Sequence, residues 1–250
     1  MAEQARSATD PRWGQDGRDR KAEAILATLK MHCRRDLTRG VWLDVGCGSG
    51  GVAATLAAHV EQVVGVDPEP WERWQTLCSE RSNLVFHAGS YRDLTTLLTP
   101  ESVDVVICNQ VYEHVDDPAA LLQAIHQVMK PGSICYFAGP NLLWPIEPHV
   151  FWPFVHWLPR RFAQRWMRRL GSHQANDLDA WSWSYWGLTR LFRCAGYQCV
   201  DAIHLRMRAD AEAAGAAKLL RMAVCVPRGF VMALTPIAPG FVFILTKASA

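Results

Sequence analysis

The residues best suited to chemistry are a carboxylate and a set of glycines in the first quarter of the chain. Asp44 lies near the end of an apolar run, Val41–Val45, that predicts a buried strand, and Gly46, Gly48 and Gly50 follow it. Glycines let a ligand approach bare backbone, and the helix predicted next offers free N–H groups to an electronegative atom. The pattern predicts half of a nucleotide site. Because Asp44 would repel a pyrophosphate and attract a cation, it favours a positively charged nucleotide.

The same turn leaves a second class of ligand open. Gly46, Gly48 and Gly51 also fit the G-x-G-x-x-G spacing of enzymes that bind nicotinamide dinucleotides. Asp67 ends a second predicted strand, about 20 positions after Asp44, where a carboxylate can accept hydrogen bonds from both ribose hydroxyls of an adenosine. A helix cap is the alternative role for Asp67. The spacing favours the adenosine role.

Two motifs carry a resemblance to a known family. S-adenosylmethionine has both an ammonium and a sulfonium, and residues 44–50 resemble the D-x-G-x-G-x-G motif of the Rossmann-like (class I) S-adenosylmethionine-dependent methyltransferases of the small-molecule type. Residues 109–118 are similar to the N-x-V-x-E-H-x-x-D-P segment of the same family. The resemblance covers about residues 19–205. It implies S-adenosylmethionine as the cofactor and methyl transfer as the reaction.

The resemblance also implies the remaining cofactor contacts. The family often has an Asp after the Gly that follows its third strand, and here Ser90 stands in that place, which weakens the expected hydrogen bond to the adenine amino group. Tyr91 either stacks on the adenine or packs against its own helix. Asn109 and Gln110 follow the fourth predicted strand and complete the set.

The surrounding pattern predicts an α/β fold. Further apolar runs of strand length alternate with segments of helical periodicity. These runs span 62–66, 83–88, 102–108 and 133–138, and the helices are predicted over 19–35, 52–58, 69–80, 118–129 and 184–195. Such alternation predicts a Rossmann-like, doubly wound, mostly parallel sheet with right-handed crossovers, whose strand ends share one crevice. Residues 241–247 are the candidate for a final antiparallel strand, paired with 198–205.

Length and composition predict a single domain over residues 1–250. Half of the residues are hydrophobic, which suits one full core. The prediction divides the domain into a cofactor-binding core over 19–139, a cap insertion over 140–183, and a C-terminal part of the sheet over 184–250. A net charge of +2 is too small to indicate nucleic acid. Eight cysteines without a C-x-x-C pair, and a start unlike a signal peptide, predict a cytoplasmic protein.

The cap insertion is rich in aromatic and basic residues. Seven of the 11 Trp residues fall between positions 144 and 186, which predicts an apolar wall over the crevice. Residues 160–170 contain five Arg and no acid, and put Phe162, Trp166 and Leu170 on one helical face. Two interpretations stay open. Residues 151–170 either contact an anionic membrane or a lipid-linked acceptor, or they form a cap helix with its apolar face on the core and its arginines in water.

Two histidines are the candidate catalytic residues. Methyl transfer needs alignment of nucleophile and methyl group, and a hydroxyl acceptor also needs a base of near-neutral pKa. His114 follows the fourth predicted strand, and His149 lies in the cap. Each has a structural alternative, since His114 can organise its turn and His149 can bind a carbonyl oxygen.

A metal is not expected. Glu113, His114, Glu147 and His149 form a possible ligand set, but ubiquinone-biosynthesis O-methyltransferases have E-x-x-E-H at the corresponding segment, and here Gln110 replaces the first Glu. Loss of that charged ligand disfavours a divalent ion.

The predicted function is therefore S-adenosylmethionine-dependent methyl transfer to a small-molecule, glycan or lipid-linked acceptor, with oxygen the favoured atom. A nicotinamide-dependent oxidoreductase and a catalytically silent, methyltransferase-like partner protein are the alternatives. The sequence does not specify the acceptor, the choice among O, N and C, or the oligomeric state.

Overall fold

The seven strands of the computed structural model form one mixed sheet. The structure describes residues 15–147, 150–173, 175, 182–213 and 225–248. The strands are β1 (Val41–Val45), β2 (Gln62–Asp67), β3 (Leu84–Ala88), β4 (Val103–Asn109), β5 (Met129–Pro140), β6 (Tyr197–Asp201) and β7 (Gly240–Lys247). Their order in the sheet is β3-β2-β1-β4-β5-β7-β6.

Helices cover both faces of this sheet. The α-helices are α1 (Gln15–His32), α2 (Gly51–Leu56), α3 (Arg73–Glu80), α4 (Leu94–Leu97), α5 (Pro118–Val128), α6 (Arg160–Arg169), α7 (Tyr185–Cys194), α8 (Ile203–Glu212) and α9 (Arg228–Leu234). Short 3-10 helices span Tyr91–Asp93, Val155–Trp157 and Thr235–Ile237. Among the described residues, no helix has both the length and the apolar character needed to cross a bilayer.

The predicted sheet topology is confirmed. β1 to β5 are parallel, and β7 runs antiparallel to both β5 and β6. The chain passes from β1 outward to β3 and then returns to β4 on the other side of β1. The carboxyl ends of β1 and β4 therefore flank the switch point at which open α/β sheets bind ligands.

Two strands differ in extent from the prediction. β6 ends at Asp201 rather than at residue 205, since α8 begins at Ile203 with Ala202 as its N-cap. The Asp201 side chain accepts the N–H of Ile203 (3.0 Å) at this turn. β5 begins at Met129, and its register with β4 shifts between Val103 and Val105. Residues 130–133 form the resulting irregularity.

The hydrophobic core has one layer on each face of the sheet. Leu43 and Val45 belong to one layer, and Trp42 to the other, as the alternation of side chains along a strand requires. A third, small cluster lies within the predicted cap and contains Val150, Val155, Ala163, Met167 and Ala175.

The helix of the predicted cap forms as expected, but the face that it buries is not the predicted one. α6 packs through Ala163 and Met167, while Phe162, Trp166 and Leu170 are 65%, 46% and 61% exposed. The interpretation that placed this apolar face on the core is therefore wrong. The small cluster takes the adjacent face of the helix instead, and leaves the aromatic face in water.

Candidate active site

The glycine turn lies at the carboxyl end of β1. The N–H groups of Gly46 and Cys47 donate to the carbonyl of Val66 (2.8 and 3.2 Å), and the N–H of Gly50 donates to the carbonyl of Cys47 (3.0 Å). Gly46, Gly48 and Gly50 all have positive φ, at 68°, 51° and 81°. Only glycine adopts this conformation without strain, so the spacing of the motif follows from the path of the backbone.

Two of these glycines are packed, and one faces open space. A Cβ on Gly46 would lie 2.6 Å from Val111, and one on Gly50 would lie 2.4 Å from Phe86. A Cβ on Gly48 would have nothing within 4 Å. The backbone at Gly48 is therefore where a ligand has room to approach.

Asp67 and Trp74 fix the orientation of that peptide. The Gly48 N–H donates to Asp67 Oδ2 (2.8 Å), and the Trp74 indole N–H donates to the Gly48 carbonyl (2.9 Å). Asp67 Oδ1 accepts the N–H of Glu69 (3.0 Å), and the Trp74 ring stacks on Phe86 with centroids 5.0 Å apart. Each Asp67 oxygen retains acceptor capacity for a ribose hydroxyl. Sequence reasoning missed Trp74, since nothing in its local pattern indicates a contact with the glycine turn.

Asp44 supplies buried negative charge beneath the turn. Its side chain is buried, and burial together with the nearby Asp67 carboxylate raises the pKa of Asp44 to about 7. Lys21 of α1 opposes this shift. Burial lowers the pKa of Lys21, while the charges of Asp44 and Glu113 act in the other direction. Lys21 is the second residue that sequence reasoning missed, because α1 meets the site only in the folded chain.

The turn after β3 is hydrogen-bonded to β2 and contains the N-cap residue of the 3-10 helix that follows. The N–H of Gly89 donates to the Asp67 carbonyl (2.9 Å). Ser90 caps the following 3-10 helix, and its hydroxyl donates to Asp93 Oδ2 (2.9 Å). The Tyr91 ring is buried in the core, and its hydroxyl donates to Asp116 Oδ1 (2.7 Å). Packing of the Tyr91 ring in the core is therefore observed, and its contact with adenine stays a prediction.

The end of β4 places its two polar residues at the switch point. Asn109 pairs in register with Ala138 and is half-buried, whereas Gln110 is exposed. Gln110 has φ of 60° and donates its N–H to the Ala138 carbonyl (2.8 Å). Left-handed backbone at a non-glycine residue is uncommon and occurs often at functional sites.

Of the two candidate bases, His114 lies among the described residues and His149 does not. His114 is exposed on the turn after β4, with its N–H bonded to the Val111 carbonyl (3.0 Å), while the neighbouring Glu113 is fully buried. Tyr112 ties this turn to the cap, since its hydroxyl donates to the Pro140 carbonyl and accepts the N–H of Trp183 (3.3 Å). His149 lies outside the described residues.

Three of the four possible metal ligands, Glu113, His114 and Glu147, lie among the described residues. Glu147 Oε2 accepts the N–H of Val150 (2.7 Å) within the cap. In the part of the chain that the structure describes, no group of three or more His, Cys, Asp or Glu residues is arranged to hold a metal ion.

The fold and the site define a class of protein. A parallel sheet with a glycine turn after β1, an acid at the end of β2 and a ligand crevice at the switch point is a Rossmann-like nucleotide-binding domain. The buried carboxylate of Asp44 and the open backbone at Gly48 fit a cationic adenosyl ligand such as S-adenosylmethionine.

Comparisons with known proteins narrow this class. Residues 43–137 match the family model described as a methyltransferase domain. The ubiquinone biosynthesis O-methyltransferase of Vibrio cholerae is 34% identical over 101 residues, which are 40% of this chain and 41% of that protein. The corresponding protein of Serratia proteamaculans is also 34% identical, over 40% of this chain and 42% of its own length.

Solved structures share the fold over nearly the whole chain. The 1,6-didemethyltoxoflavin-N1-methyltransferase of Burkholderia thailandensis, solved with S-adenosylhomocysteine, has a TM-score of 0.55 at 14% identity and covers 92% of this chain and 79% of its own. The [4+2]-cyclase SpnF has a TM-score of 0.58 at 16% identity, over 97% of this chain and 86% of its own. Since this neighbour is named a cyclase, the fold alone does not specify the reaction.

Residues 43–137 are therefore similar to a methyltransferase domain, and the match together with the site indicates S-adenosylmethionine as the cofactor. The chain spans about two fifths of the length of the curated relatives it matches.

Proposed function

We propose that this protein transfers the methyl group of S-adenosylmethionine to an oxygen atom of a small-molecule, glycan or lipid-linked acceptor. The observation that carries the proposal is the hydrogen bond between the Gly48 N–H and Asp67, formed directly beside the buried carboxylate of Asp44. This arrangement places an acceptor of ribose hydroxyls and a negative charge around one piece of open backbone. The names of the O-methyltransferase relatives support oxygen as the acceptor atom.

The cofactor is held by the chain in three parts. Asp44 attracts its positive charge, and Asp67 accepts its ribose hydroxyls. The backbone of the glycine turn lies against its remaining atoms. Ser90, Asn109 and Gln110 complete the site at the ends of β3 and β4, and Tyr91 positions the Ser90 turn through its buried ring.

The reaction requires little chemistry from the protein. The bound cofactor supplies a methyl group already activated by its sulfonium. The chain's residues therefore align the acceptor and exclude water. We assign His114 as the base that takes the acceptor's proton, because it is exposed on the turn after β4 and histidine is the side chain that most often acts as a general base. His149 is the second candidate, from the cap.

The same proposal covers domain organisation and location. We propose a core over 19–139, a cap over 140–183 that receives the acceptor, and a C-terminal part over 184–250. The separate hydrophobic cluster of residues 150–175 supports the cap as a distinct unit. All eight cysteines are free thiols, which suits a reducing, cytoplasmic setting.

Transfer of a labelled methyl group tests the proposal. The protein is incubated with methyl-labelled S-adenosylmethionine and, separately, with a catechol, a simple phenol, a sugar and an amine, and label in the product is measured. We expect label on a hydroxyl acceptor, and we expect H114Q to lower kcat about 100-fold while the Kd for S-adenosylmethionine changes less than twofold.

Label transfer and calorimetry separate the rival functions. A catalytically silent partner protein would bind the cofactor weakly or not at all and transfer no label. An oxidoreductase would bind NADH in calorimetry and give no heat with S-adenosylmethionine. An equal loss of kcat and cofactor affinity in H114Q would reject the role of His114 as a base.

A further inference from the structure

The segment 151–170 exposes more aromatic surface than any packing role requires. On α6, Phe162, Trp166 and Leu170 are 65%, 46% and 61% exposed. Water-exposed apolar residues are ordinary when scattered, but a helical face of them indicates a surface that is covered in function. We call residues 151–170 the aromatic-arginine surface.

The preceding loop adds to the same patch. Phe151 and Phe154 are 61% and 45% exposed, and both have positive φ, at 54° and 62°. Such backbone is unfavourable for a bulky side chain, so the rings are held outward at a cost. Trp166 and Leu170 line with them a shallow cavity of about 490 Å³, which makes the loop and the helix one continuous surface.

The charge of this surface has one sign. All five arginines of α6 are exposed, and residues 151–170 contain no Asp or Glu. These arginines are Arg160, Arg161, Arg165, Arg168 and Arg169. Aromatic rings beside exposed basic side chains match the boundary between the headgroups and acyl chains of an anionic bilayer, where the rings enter the lipid and the arginines meet phosphate.

We propose that the aromatic-arginine surface docks on an anionic lipid bilayer. Charge complementarity selects this occupant, because a partner protein surface would have to supply several acids arranged around a central apolar patch. The segment follows β5, whose carboxyl end lies at the crevice. Docking would thus bring a lipid-linked acceptor to the site, and this last step alone rests on the proposed function.

Vesicle co-sedimentation of the full chain tests the proposal without acceptor or cofactor. The vesicles are pure phosphatidylcholine, or phosphatidylcholine with phosphatidylglycerol. We expect binding only to the anionic vesicles, and weaker binding at high salt. R161Q/R165Q should weaken it about fivefold for each arginine removed. F162S/W166S should weaken it at least tenfold, because two ring insertions are lost.

A matched variant controls for net charge. R34Q/R35Q also removes two exposed arginines, but from the loop before β1, at the amino ends of the parallel strands, and it should bind vesicles like the wild type. Calorimetry with S-adenosylmethionine, without vesicles, checks that each variant is folded. If the wild type does not bind S-adenosylmethionine in calorimetry, the proposed function is contradicted, but the vesicle result is unaffected.

Three results would overturn the docking proposal. The wild type could remain in the supernatant with both kinds of vesicle. Both surface variants could bind as tightly as R34Q/R35Q. Finally, a wild-type dimer that F162S/W166S converts to a monomer, without vesicle binding, would show that a second copy of the chain covers the surface.

Discussion

At the scale of single residues, the site depends on two neighbouring carboxylates, those of Asp44 and Asp67, which repel each other. Asp44 is buried and its pKa is raised to about 7, first by burial and then by the charge of Asp67. Asp67 is partly exposed and bonded to two backbone N–H groups. A cationic ligand relieves the repulsion between the two acids, so the site is electrostatically suited to positive charge.

The raised pKa of Asp44 makes cofactor binding depend on pH. Below pH 7 Asp44 is protonated and neutral, and it no longer attracts a cation; above pH 7 it is charged. Affinity for S-adenosylmethionine should therefore fall as pH falls, roughly tenfold between pH 7.5 and pH 6. Calorimetry over this range measures the effect. D44N should bind weakly with a flat profile, and a wild-type Kd independent of pH would contradict the assignment.

Removal of the Asp67 carboxylate should lower the affinity for S-adenosylmethionine at all pH values. D67A loses two charge-assisted hydrogen bonds to the ribose, and the Kd for S-adenosylmethionine should rise about 100-fold. E72Q is the matched control, since Glu72 is an exposed acid in the segment that follows β2. The assignment fails if D67A, shown by circular dichroism to be folded, binds the cofactor as tightly as E72Q.

At the scale of elements, the segment 109–118 has two structural roles. Its first half forms the strand end and turn with Gln110 and His114, while its second half starts α5. Asp117 Oδ1 accepts the N–H groups of Ala119 and Ala120 (3.0 Å each), which makes it the N-cap of that helix. The acid at this position of the motif therefore has a structural role.

This assignment predicts a change of stability without a change of binding. D117A should lower the free energy of unfolding by about 1 kcal/mol, because two helix N–H groups lose their acceptor. Urea denaturation measures this as a lower midpoint with an unchanged slope. D117N should restore most of the loss, since Asn is also a good cap. A hundredfold loss of cofactor affinity in D117A would place Asp117 in the site instead.

At the scale of the whole molecule, cofactor binding and folding are linked. The site draws on β1, β2, α1 and α3, so it does not exist in the unfolded chain. A ligand that binds only the folded state at 100 times its Kd stabilises it by about 2.7 kcal/mol. For a chain of this size that amounts to a rise in Tm of about 5–10 °C with S-adenosylmethionine. NADH at equal concentration is the control, and a larger shift with NADH would favour the oxidoreductase.

The parts that sequence reasoning predicted correctly are those with a local physical cause. Gly48 and Gly50 were predictable because a tight turn at a strand end needs positive φ, and Asp67 because strand and helix lengths set the spacing between neighbouring strands. β7 was predictable as a strand from its apolar run. The extent of β6 was not, because the chain turns into α8 directly after Asp201, where the Asp201 side chain accepts the N–H of Ile203.

The sequence by itself determined the order of strands and helices, the glycine turn and the acids at the strand ends, since each follows from short-range periodicity and backbone stereochemistry. Only the tertiary structure decided that Trp74 and Lys21 reach the site, and which face of α6 is buried. Periodicity defines the faces of a helix, but the space left by the rest of the chain selects the one that packs. In α6 that space admits Ala163 and Met167 and leaves the aromatic face exposed.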